Sequence, residues 1–308
     1  MKKIVLVATV KPFASEAVEG IRKIAEESGY EFRLLEKYPD QAALIEAVKD
    51  VNALIVRSDK VTKEVIDAAN NLEIIVRAGA GYDNIDINYA KEKGIVVMNT
   101  PGQNANAVAE LVLGMMVYMA RNQFNGKPGT EIKGKTMGLL AFGNVARNVA
   151  RIAKGFEMDV YAYDAFIPRE KIIASGVKAV DFPQELFEKC QYVSLHIPLT
   201  EETRASINYD LLKRMPKNAT LINTARKEII NEDDLIRIME EREDFKYISD
   251  IKPDKEDVFK EKFEGRYFFT PKKMGAQTKE ANINAGLAAI RQIVKYFEEG
   301  DTTFQVNK

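Results

Sequence analysis

Short apolar runs alternate with amphipathic segments along this 308-residue chain, and this alternation limits its possible folds more than any other feature. Each run is only a few residues long, and apolar residues recur with helical period in the segment that follows. Such strands are typical of parallel sheets covered by helices on both faces. In the first hundred residues the predicted strands are 4–10, 32–35, Ala53–Val56, 72–76 and 95–98, with helices such as Ser15–Glu27 and 41–49 between them.

A second alternating series follows the loop signal Gly126-Lys127-Pro128-Gly129. Its predicted strands are 136–142, Asp159–Tyr163, Tyr192–Leu195, Thr220–Asn223, 247–249 and Tyr267–Phe269. Six strands with interleaved helices match a doubly wound nucleotide-binding domain. Between the two series, segment 104–121 is predicted to be a helix that is apolar nearly all round, which favours burial between domains or subunits. A last helix is predicted over 279–297, and the length of the chain fits two domains.

Charge and cysteine content narrow the class of protein. The 45 Lys and Arg residues nearly balance the 46 Asp and Glu residues, so no overall field attracts nucleic acid or an anionic membrane. The single Cys190 cannot form an intrachain disulfide, which suits a reducing compartment. The N-terminus reads as a strand rather than a signal peptide, and no run approaches the ~18 apolar residues of a membrane span. We therefore expect a cytoplasmic protein that acts on a small molecule, and we single out no metal ligands.

The turn after the strand 136–142 predicts a dinucleotide site. There the fingerprint G-x-G-x-x-G/A reads Ala141-x-Gly143-x-x-Ala146 and opens a helix. Gly143 stands where backbone must approach the pyrophosphate, whereas Ala141 departs from the glycine usual at the tight turn. Asp164 ends the next strand, 21 residues after Gly143. A carboxylate at that strand end binds the ribose hydroxyls of NAD and repels the 2′-phosphate of NADP, so the spacing predicts NAD as cofactor.

Five motifs, in order, carry a family resemblance over essentially the whole chain. They are 77–86 (RAGAGYDNID), 99–102 (NTPG) leading into Val108-Ala109-Glu110, 194–200 (SLHIPLT), 223–226 (NTAR) and 270–278 (TPKKMGAQT). The chain resembles the D-2-hydroxyacid dehydrogenases, and within that family it is most similar to short 3-phosphoglycerate dehydrogenases without a regulatory tail. Feedback by serine through such a tail is therefore not expected.

The resemblance implies two doubly wound parallel-sheet domains, with a Rossmann NAD-binding domain (99–279) inserted into a flavodoxin-like substrate domain (1–98 plus 280–308). It implies closure about a hinge near 98–103 and 275–280, and a homodimer made through the nucleotide domains. The implied cofactor-binding residues are Phe142, Gly143, Asn144, Val145, Asp164, His196, Pro198, Thr203, Thr224, Ala225 and Asp250.

One predicted catalytic residue matches the family pattern, and the predicted acid/base departs from it. Arg226 matches the arginine of the family that fixes the substrate carboxylate, and a guanidinium suits that task. The family's base is a histidine in a Thr-Pro-His motif, held by an upstream Glu. Here the motif reads Thr270-Pro271-Lys272-Lys273, and the only histidine, His196, lies at a cofactor position.

Two interpretations of this departure remain: lost activity, or a lysine as acid/base. Because an ammonium has no tautomer for a Glu to fix, the joint loss of His and Glu favours the lysine. A lysine acts as a base only when its pKa falls from about 10.4, which burial and a neighbouring cation bring about. We favour Lys273 over Lys272 because the following Gly275-Ala276-Gln277-Thr278 anchors the spacing. An alkaline optimum for oxidation follows.

A phosphorylated substrate needs cations in the first domain. The segment Arg57-Ser58-Asp59-Lys60 resembles the one that binds substrate phosphate in the subfamily, although Asp59 is unusual there. The glycine loop, through Ala78, Gly79 and Ala80, supplies backbone amides for the acid. Arg77 is a further candidate with an equally plausible structural role. Asn104, with Gln103, is placed to orient phosphate or nicotinamide.

Three functional hypotheses remain. The first is oxidation of 3-phosphoglycerate to 3-phosphohydroxypyruvate, the entry to serine synthesis. The second is reduction of glyoxylate, hydroxypyruvate or another small 2-keto acid, for which Arg57 and Lys60 would have no phosphate to bind. The third is a non-catalytic NAD-sensing scaffold, which the missing histidine and Ala141 support and the retained Arg226 opposes.

Overall fold

A computed structural model describes residues 2–308 and shows two compact units. Unit 1 comprises the chain up to Asn104 together with Gln277–Lys308, and unit 2 comprises Ala105–Ala276. Each has its own sheet and its own hydrophobic core. Among the described residues, no helix has the length and apolar character needed to cross a membrane.

Unit 1 is built on a five-stranded parallel sheet with strand order β2-β1-β3-β4-β5. The strands are β1 (Ile4–Thr9), β2 (Glu31–Glu36), β3 (Ala53–Val56), β4 (Ile74–Arg77) and β5 (Val96–Asn99). The helices are α1 (Ser15–Glu27), α2 (Gln41–Ala47), α3 (Lys63–Ala68), α4 (Ile87–Glu92) and, from the C-terminal end of the chain, α12 (Lys279–Glu299). Since β3 is completely buried, its four apolar residues have no alternation, as in sheets covered on both faces.

The return of α12 to unit 1 depends on close contact with α1. A Cβ on Gly20 would lie 2.6 Å from Leu287 Cδ2, and one on Gly286 would lie 3.0 Å from Ile21 Cδ1. Glycine on each helix therefore lets the two pack, together with the fully buried Ala289. Thr278 caps the start of α12 by accepting a hydrogen bond from the Ala281 amide at 3.1 Å.

Unit 2 is built on a seven-stranded parallel sheet with strand order β12-β11-β10-β9-β6-β7-β8. The strands are β6 (Thr136–Leu140), β7 (Asp159–Tyr163), β8 (Lys178–Ala179), β9 (Tyr192–Leu195), β10 (Thr220–Asn223), β11 (Lys246–Ser249) and β12 (Tyr267–Phe269). The helices are α5 (Ala105–Ala120), α6 (Asn144–Gly155), α7 (Arg169–Ala174), α8 (Pro183–Lys189), α9 (Tyr209–Leu212), α10 (Glu232–Glu241) and α11 (Glu256–Lys262). The strand order reverses between β6 and β9, where such sheets bind ligands.

The predicted fold class is confirmed: both units are doubly wound parallel α/β sheets, of flavodoxin-like order in unit 1 and Rossmann order in unit 2. The prediction of six strands for unit 2 was one short. The missed strand, β8, has only two residues at the sheet edge and is partly solvent-exposed, so it has no apolar run to reveal it.

The apolar helix α5 packs mainly within unit 2. Its buried Val112, Met116 and Met119 belong to the same core cluster as β6 and α6. The helix contacts α6 and the strands β11 and β12. Burial inside unit 2 therefore explains why α5 is apolar. Burial between domains or subunits, which the sequence favoured, is not required to explain it.

Candidate active site

The predicted site residues of unit 2 follow the carboxyl ends of its parallel strands. Phe142, Gly143, Asn144 and Val145 follow β6, and Asp164 follows β7. The remaining predictions follow the other strands: His196, Pro198 and Thr203 follow β9, Thr224, Ala225 and Arg226 follow β10, Asp250 follows β11, and Lys272 and Lys273 follow β12. One edge of one sheet therefore gathers them, as the ligand-binding edge of such sheets does.

The turn from β6 into α6 has a strained residue and an open glycine. Ala141 has φ of +75°, a left-handed conformation that favours glycine. Gly143 is the N-cap of α6, and a Cβ built on it would meet nothing within 4 Å. Its φ of −74° is open to any residue, so neither backbone nor packing within the chain requires glycine there. A ligand that approaches the backbone would require it, and no side chain caps the helix amides behind it.

Asp164 organises this turn through three hydrogen bonds. Its carboxylate accepts from the Phe142 amide at 2.7 Å and from the Phe166 and Ile167 amides at 2.8 Å each. A carboxylate has about four acceptor positions, which leaves room for one ribose hydroxyl. Asp164 thus both shapes the β6–α6 turn and keeps capacity for the predicted ribose contact.

Buried polar atoms without partners cluster at the ends of β9 and β10. They are Ser194 Oγ, His196 Nε2 and Thr224 Oγ1, for which no hydrogen-bond partner exists among the described residues. Burial lowers the pKa of His196 to about 4, so its imidazole is neutral near neutral pH. Unpaired buried polar atoms are costly, and their position at the switch point of the sheet is where a bound ligand would pair them.

The loop after β9 is held by its own threonines. Thr203 Oγ1 donates to the Pro198 carbonyl at 2.6 Å, and the Thr200 amide donates to Thr203 Oγ1 at 2.7 Å. These bonds give Pro198 and Thr203 a role in fixing the loop. Their predicted contact with the cofactor stays a prediction.

Arg226 stands in a tight turn after β10. Its Nη1 donates to the Ala225 carbonyl at 2.9 Å, and its own carbonyl accepts from Asn223 Nδ2 at 2.9 Å. Asn223 also accepts from the Ala225 amide at 2.9 Å, so the buried Asn223 orients the whole segment. The motif contained Asn223, but spacing alone gave no reason to assign it this positioning role.

The two candidate lysines lie in a loop that Asp250 anchors. The fully buried Asp250 accepts from Thr270 Oγ1 at 2.8 Å and from the Met274 and Gly275 amides at 2.7 Å each. These bonds hold the loop immediately before and after Pro271-Lys272-Lys273. Gly275 must be glycine because a Cβ there would lie 2.9 Å from Asp250 Oδ2. Sequence reasoning placed Asp250 at the cofactor and missed this anchoring.

Both lysine side chains are exposed, so the burial that the sequence argument expected for the basic lysine is wrong for this structure. The loop bulges from the strand end between its two anchors, which leaves long side chains at the surface. That one of these lysines transfers the proton, and that it is Lys273, stay predictions.

In unit 1, Arg57 follows β3 next to the point where the strand order reverses. Its Nη1 donates to the carbonyls of Lys11 (3.1 Å) and Pro12 (3.0 Å), and its guanidinium lies 5.1 Å from the ring centre of Phe13. Burial lowers the pKa of Arg57, but a guanidinium stays charged. Arg57 therefore holds the loop after β1 and carries a fixed positive charge at this sheet edge.

Asp59, the unusual residue of this segment, has a structural role. Its buried carboxylate accepts from the Val10 amide at 2.6 Å and from the Tyr38 hydroxyl at 2.8 Å. Burial and this carboxylate raise the pKa of Tyr38. Asp59 ties the ends of β1 and β3 together, which explains an acidic residue beside the predicted phosphate-binding cations.

The glycine loop after β4 is packed around Arg77. Gly79 has φ of +153°, a backbone conformation that other residues rarely adopt, and a Cβ there would displace the Arg77 guanidinium, whose Nη1 would lie 1.4 Å away. Arg77 Nε donates to the Arg57 carbonyl at 2.9 Å. The amides of Ala78 and Gly79 donate to the carbonyls of Val56 (2.8 Å) and Arg77 (2.9 Å). The Ala78 and Gly79 amides are therefore already engaged within the chain. Among the described residues, the Ala80 amide donates no such backbone hydrogen bond.

Lys60 and Asn104 complete the predictions for unit 1. Lys60 is exposed in the turn that follows β3, and its carbonyl accepts a hydrogen bond from Gln41 Nε2 at 2.9 Å. Asn104 is the last residue of unit 1 and is half-buried. Asn84, which sequence reasoning left unassigned, donates to the Arg57 and Asp59 carbonyls at 3.3 and 2.6 Å and so fixes the predicted phosphate segment.

Comparison with known proteins places the chain in a family. The sequence profile described as "D-isomer specific 2-hydroxyacid dehydrogenase, NAD binding domain" matches residues 102–263. The chain belongs to the D-isomer-specific 2-hydroxyacid dehydrogenase family. The matched segment lies almost entirely in unit 2, which is therefore the NAD-binding domain of this family member. Gly143, Asp164 and the unpaired atoms at the ends of β9 and β10 fit that cofactor.

Relatives of this family member have related activities. It is 37% identical over 274 residues to a D-3-phosphoglycerate dehydrogenase of Methanocaldococcus jannaschii, a match that covers 82% of this chain and 51% of the relative. It is 34% identical over 282 residues to a hydroxypyruvate reductase of Thermotoga maritima, covering 86% of this chain and 91% of the relative. The chain thus spans about half the length of the curated D-3-phosphoglycerate dehydrogenases it matches.

A solved structure is more similar still. The crystal structure of NAD+-bound 3-phosphoglycerate dehydrogenase in Entamoeba histolytica superimposes with a TM-score of 0.88 at 50% sequence identity. The match covers 100% of this chain and 99% of that one. The similarity therefore extends over both units of this dehydrogenase-family chain.

Proposed function

We propose that this protein is an NAD-dependent dehydrogenase that interconverts 3-phosphoglycerate and 3-phosphohydroxypyruvate. The observation that carries the proposal is the gathering of the dinucleotide turn, Arg226 and the Asp250-anchored lysine loop at one edge of the unit 2 sheet. The Entamoeba relative, similar along its whole length, supports this substrate. The family membership supports the class of reaction.

Arg226 binds the substrate carboxylate in this proposal. A planar guanidinium forms two parallel hydrogen bonds to a carboxylate, which fixes the acid and stabilises charge at the neighbouring C2 oxygen. Asn223 acts through Arg226 by holding the turn that presents it. The predicted oxidation therefore depends on the geometry of 223–226 as well as on the charge.

Lys273, or Lys272, moves the proton. In the oxidative direction the neutral amine takes the proton of the C2 hydroxyl, while the C2–H bond breaks with its electron pair and a carbonyl forms at C2. Bound NAD would supply the acceptor for that hydride. In the reductive direction the ammonium returns the proton to the carbonyl oxygen. A lysine that must be neutral for oxidation gives a rate that rises toward alkaline pH.

Arg57 and Lys60 bind the substrate phosphate in this proposal. Arg57 carries a fixed charge next to the switch point of the unit 1 sheet, and Lys60 is exposed in the same turn. Both follow the carboxyl end of β3, and ligands bind at the carboxyl ends of such strands. A substrate without phosphate would leave these two cations without their partner.

The test compares substrates in the reductive direction. We expect kcat/KM for 3-phosphohydroxypyruvate to exceed that for hydroxypyruvate by at least about a hundredfold, which corresponds to about 2.7 kcal/mol of charge-assisted binding. In Lys60→Met this preference should fall while the hydroxypyruvate rate stays unchanged. Lys63→Met, which removes an exposed lysine on the neighbouring α3, serves as the control.

A second candidate is a reductase of glyoxylate or hydroxypyruvate. The Thermotoga relative, 91% of whose length is matched, favours it. Equal or better turnover of the unphosphorylated acids would establish that function instead. If NADH binds but none of the three keto acids consumes it, the protein is a cofactor-sensing scaffold without this activity.

The family resemblance also leads us to propose a homodimer made through unit 2. Sedimentation equilibrium at micromolar concentration should give twice the 34.7 kDa chain mass. A mass of one chain at that concentration would contradict the dimer without affecting the proposed chemistry.

A further inference from the structure

A second polar pocket lies at the opposite edge of the unit 2 sheet, at the amino ends of its strands. The cavity measures about 240 Å³. Its polar lining comes from Thr130, Lys135, Gln191, Asn218, Thr220 and Lys246. Lys135 precedes β6, Thr220 begins β10 and Lys246 begins β11, so the sheet itself fixes where these residues stand. None of the predicted active-site residues lines it.

Two lysine ammonium groups in this pocket form no ion pair among the described residues. No carboxylate belongs to the lining residues, and across residues 2–308 neither Lys135 nor Lys246 forms an ion pair. Within residues 2–308, the hydrogen bond that Lys135 Nζ donates goes to the neutral Thr130 hydroxyl, at 2.6 Å. Exposed lysines of the same unit, such as Lys178 and Lys213, do form ion pairs.

Both lysines are half-buried and close enough to repel each other. Burial, and then the charge of Lys246, lower the pKa of Lys135, while the charge of Glu131 has a smaller, opposite effect. Burial alone lowers the pKa of Lys246. Two like charges held in one partly desolvated pocket cost free energy unless an anion joins them.

The surrounding backbone offsets only part of this charge. Met119 and Ala120, at the C-terminal end of α5, line the pocket, and the carboxyl end of a helix carries about half a negative charge. No carbonyl of this helix end accepts a hydrogen bond from either ammonium among the described residues. Two positive charges exceed the half charge of the helix end and the charge of the exposed Glu131, which lies outside the lining, so the pocket stays positive.

We propose that this pocket binds a small oxyanion, phosphate or a phosphate monoester, between the Lys135 and Lys246 ammonium groups. The Thr220 hydroxyl and the side-chain amide of Asn218, whose backbone N–H already donates to Asp244, are further donors in the lining. Its volume is below the range of about 300–1,000 Å³ usual for drug-sized ligands, so it suits a phosphate group but not a nucleotide.

The test titrates inorganic phosphate calorimetrically into the full-length protein saturated with NADH. Arg57→Met is included so that phosphate bound in unit 1 is identified separately. We expect one saturable site that Arg57→Met retains and that Lys246→Met and Lys135→Met each weaken by at least tenfold. Lys217→Met, which removes an exposed lysine next to Asn218, should bind phosphate like the unchanged protein. Repeating the titration with glycerol 3-phosphate distinguishes a monoester from free phosphate.

Thermal unfolding tests whether Lys246→Met loses phosphate binding only because the variant is unfolded. In phosphate-free buffer, Lys246→Met should unfold at or above the temperature of the unchanged protein, because the variant no longer has a half-buried charge that repels Lys135. Phosphate should raise the unfolding temperature of the unchanged protein and not that of the variant. Binding that Lys246→Met and Lys135→Met leave intact, or no site beyond the one lost in Arg57→Met, would overturn the proposal. Neither result bears on the dehydrogenase activity.

Discussion

Ala141 stands at a left-handed position of the dinucleotide turn, where its φ is +75°. An L-residue with a Cβ is strained there by about 1 kcal/mol or more, and glycine is not. We expect Ala141→Gly to stabilise unit 2 by up to about 1 kcal/mol, since the greater flexibility of unfolded glycine offsets part of the gain. The measurement is the change in unfolding midpoint of the full chain.

The matched control is the same chemical change in a helix. Ala174 ends α7 and is exposed, so Ala174→Gly should lower stability by up to about 1 kcal/mol. If both variants lose stability equally, the turn does not hold Ala141 in a strained conformation. NADH affinity should be unchanged or improved in Ala141→Gly, because the turn then has the family's usual residue.

His196 makes the stability of unit 2 depend on pH. Its pKa is lowered from 6.5 to about 4 by burial, so below pH 6.5 the unfolded chain binds a proton that the folded chain does not. The stability that the neutral imidazole supports is complete above about pH 6.5 and is lost as the pH falls toward 4. Between about pH 7 and pH 5 we expect a loss of about 2 kcal/mol.

Urea unfolding of the unchanged protein and of His196→Gln isolates this effect, because all carboxylates titrate equally in both. The difference in unfolding free energy between the two proteins should change by about 2 kcal/mol between about pH 7 and pH 5. A difference that is constant with pH would mean that His196 is accessible to protons in the folded state.

At the scale of elements, the loop after β12 depends on Asp250. Its three hydrogen bonds fix residues on both sides of the lysine pair, and bonds to a charged acceptor contribute about 1.5–3 kcal/mol each. Asp250→Asn replaces one acceptor oxygen by an NH2 group that cannot accept from an amide. We therefore expect kcat to fall at least tenfold while the dissociation constant of NADH changes less than about threefold.

The control is Asp254→Asn, which removes an exposed carboxylate paired with Lys227 on the same connection and should leave both constants unchanged. A large loss of NADH affinity with an unchanged kcat would instead make Asp250 a direct cofactor contact, as the sequence first suggested.

The elements themselves were largely predictable, because a buried parallel strand is recognisable from its unbroken apolar run. The all-buried β3, β9 and β10 have the bounds that the sequence predicted. The edge strand β8 lacked such a run and was missed. Hydrogen bonds between distant residues, such as those of Asp59 to Val10 and Tyr38, were not predictable, because they depend on which strand ends become neighbours.

At the scale of the molecule, each unit has its own core. Two hydrophobic clusters fill unit 2, and all their residues lie within 109–269. Two others fill unit 1, and their residues lie within 4–98 and 283–306. No cluster joins the two sets among the described residues. A fragment of residues 105–276 should therefore fold cooperatively and bind NADH without consuming it.

The fragment of residues 1–104 serves as the contrast. It lacks α12, whose Ala289 and Ile290 complete the core beside α1, and we expect it to be unfolded or only partly folded. Circular dichroism and NADH fluorescence on both fragments check this. An unfolded 105–276 would mean that unit 2 needs the rest of the chain for stability.

The central claim is that a lysine replaces histidine as the acid/base of a 2-hydroxyacid dehydrogenase. The most direct measurement is the rate of NADH consumption with 3-phosphohydroxypyruvate by the unchanged protein, Lys272→Met and Lys273→Met, each shown to bind NADH. We predict that Lys273→Met lowers kcat by at least about a hundredfold and that Lys272→Met changes it less than about threefold. Loss confined to Lys272→Met would assign the role to its neighbour. Full activity in both variants would contradict the account.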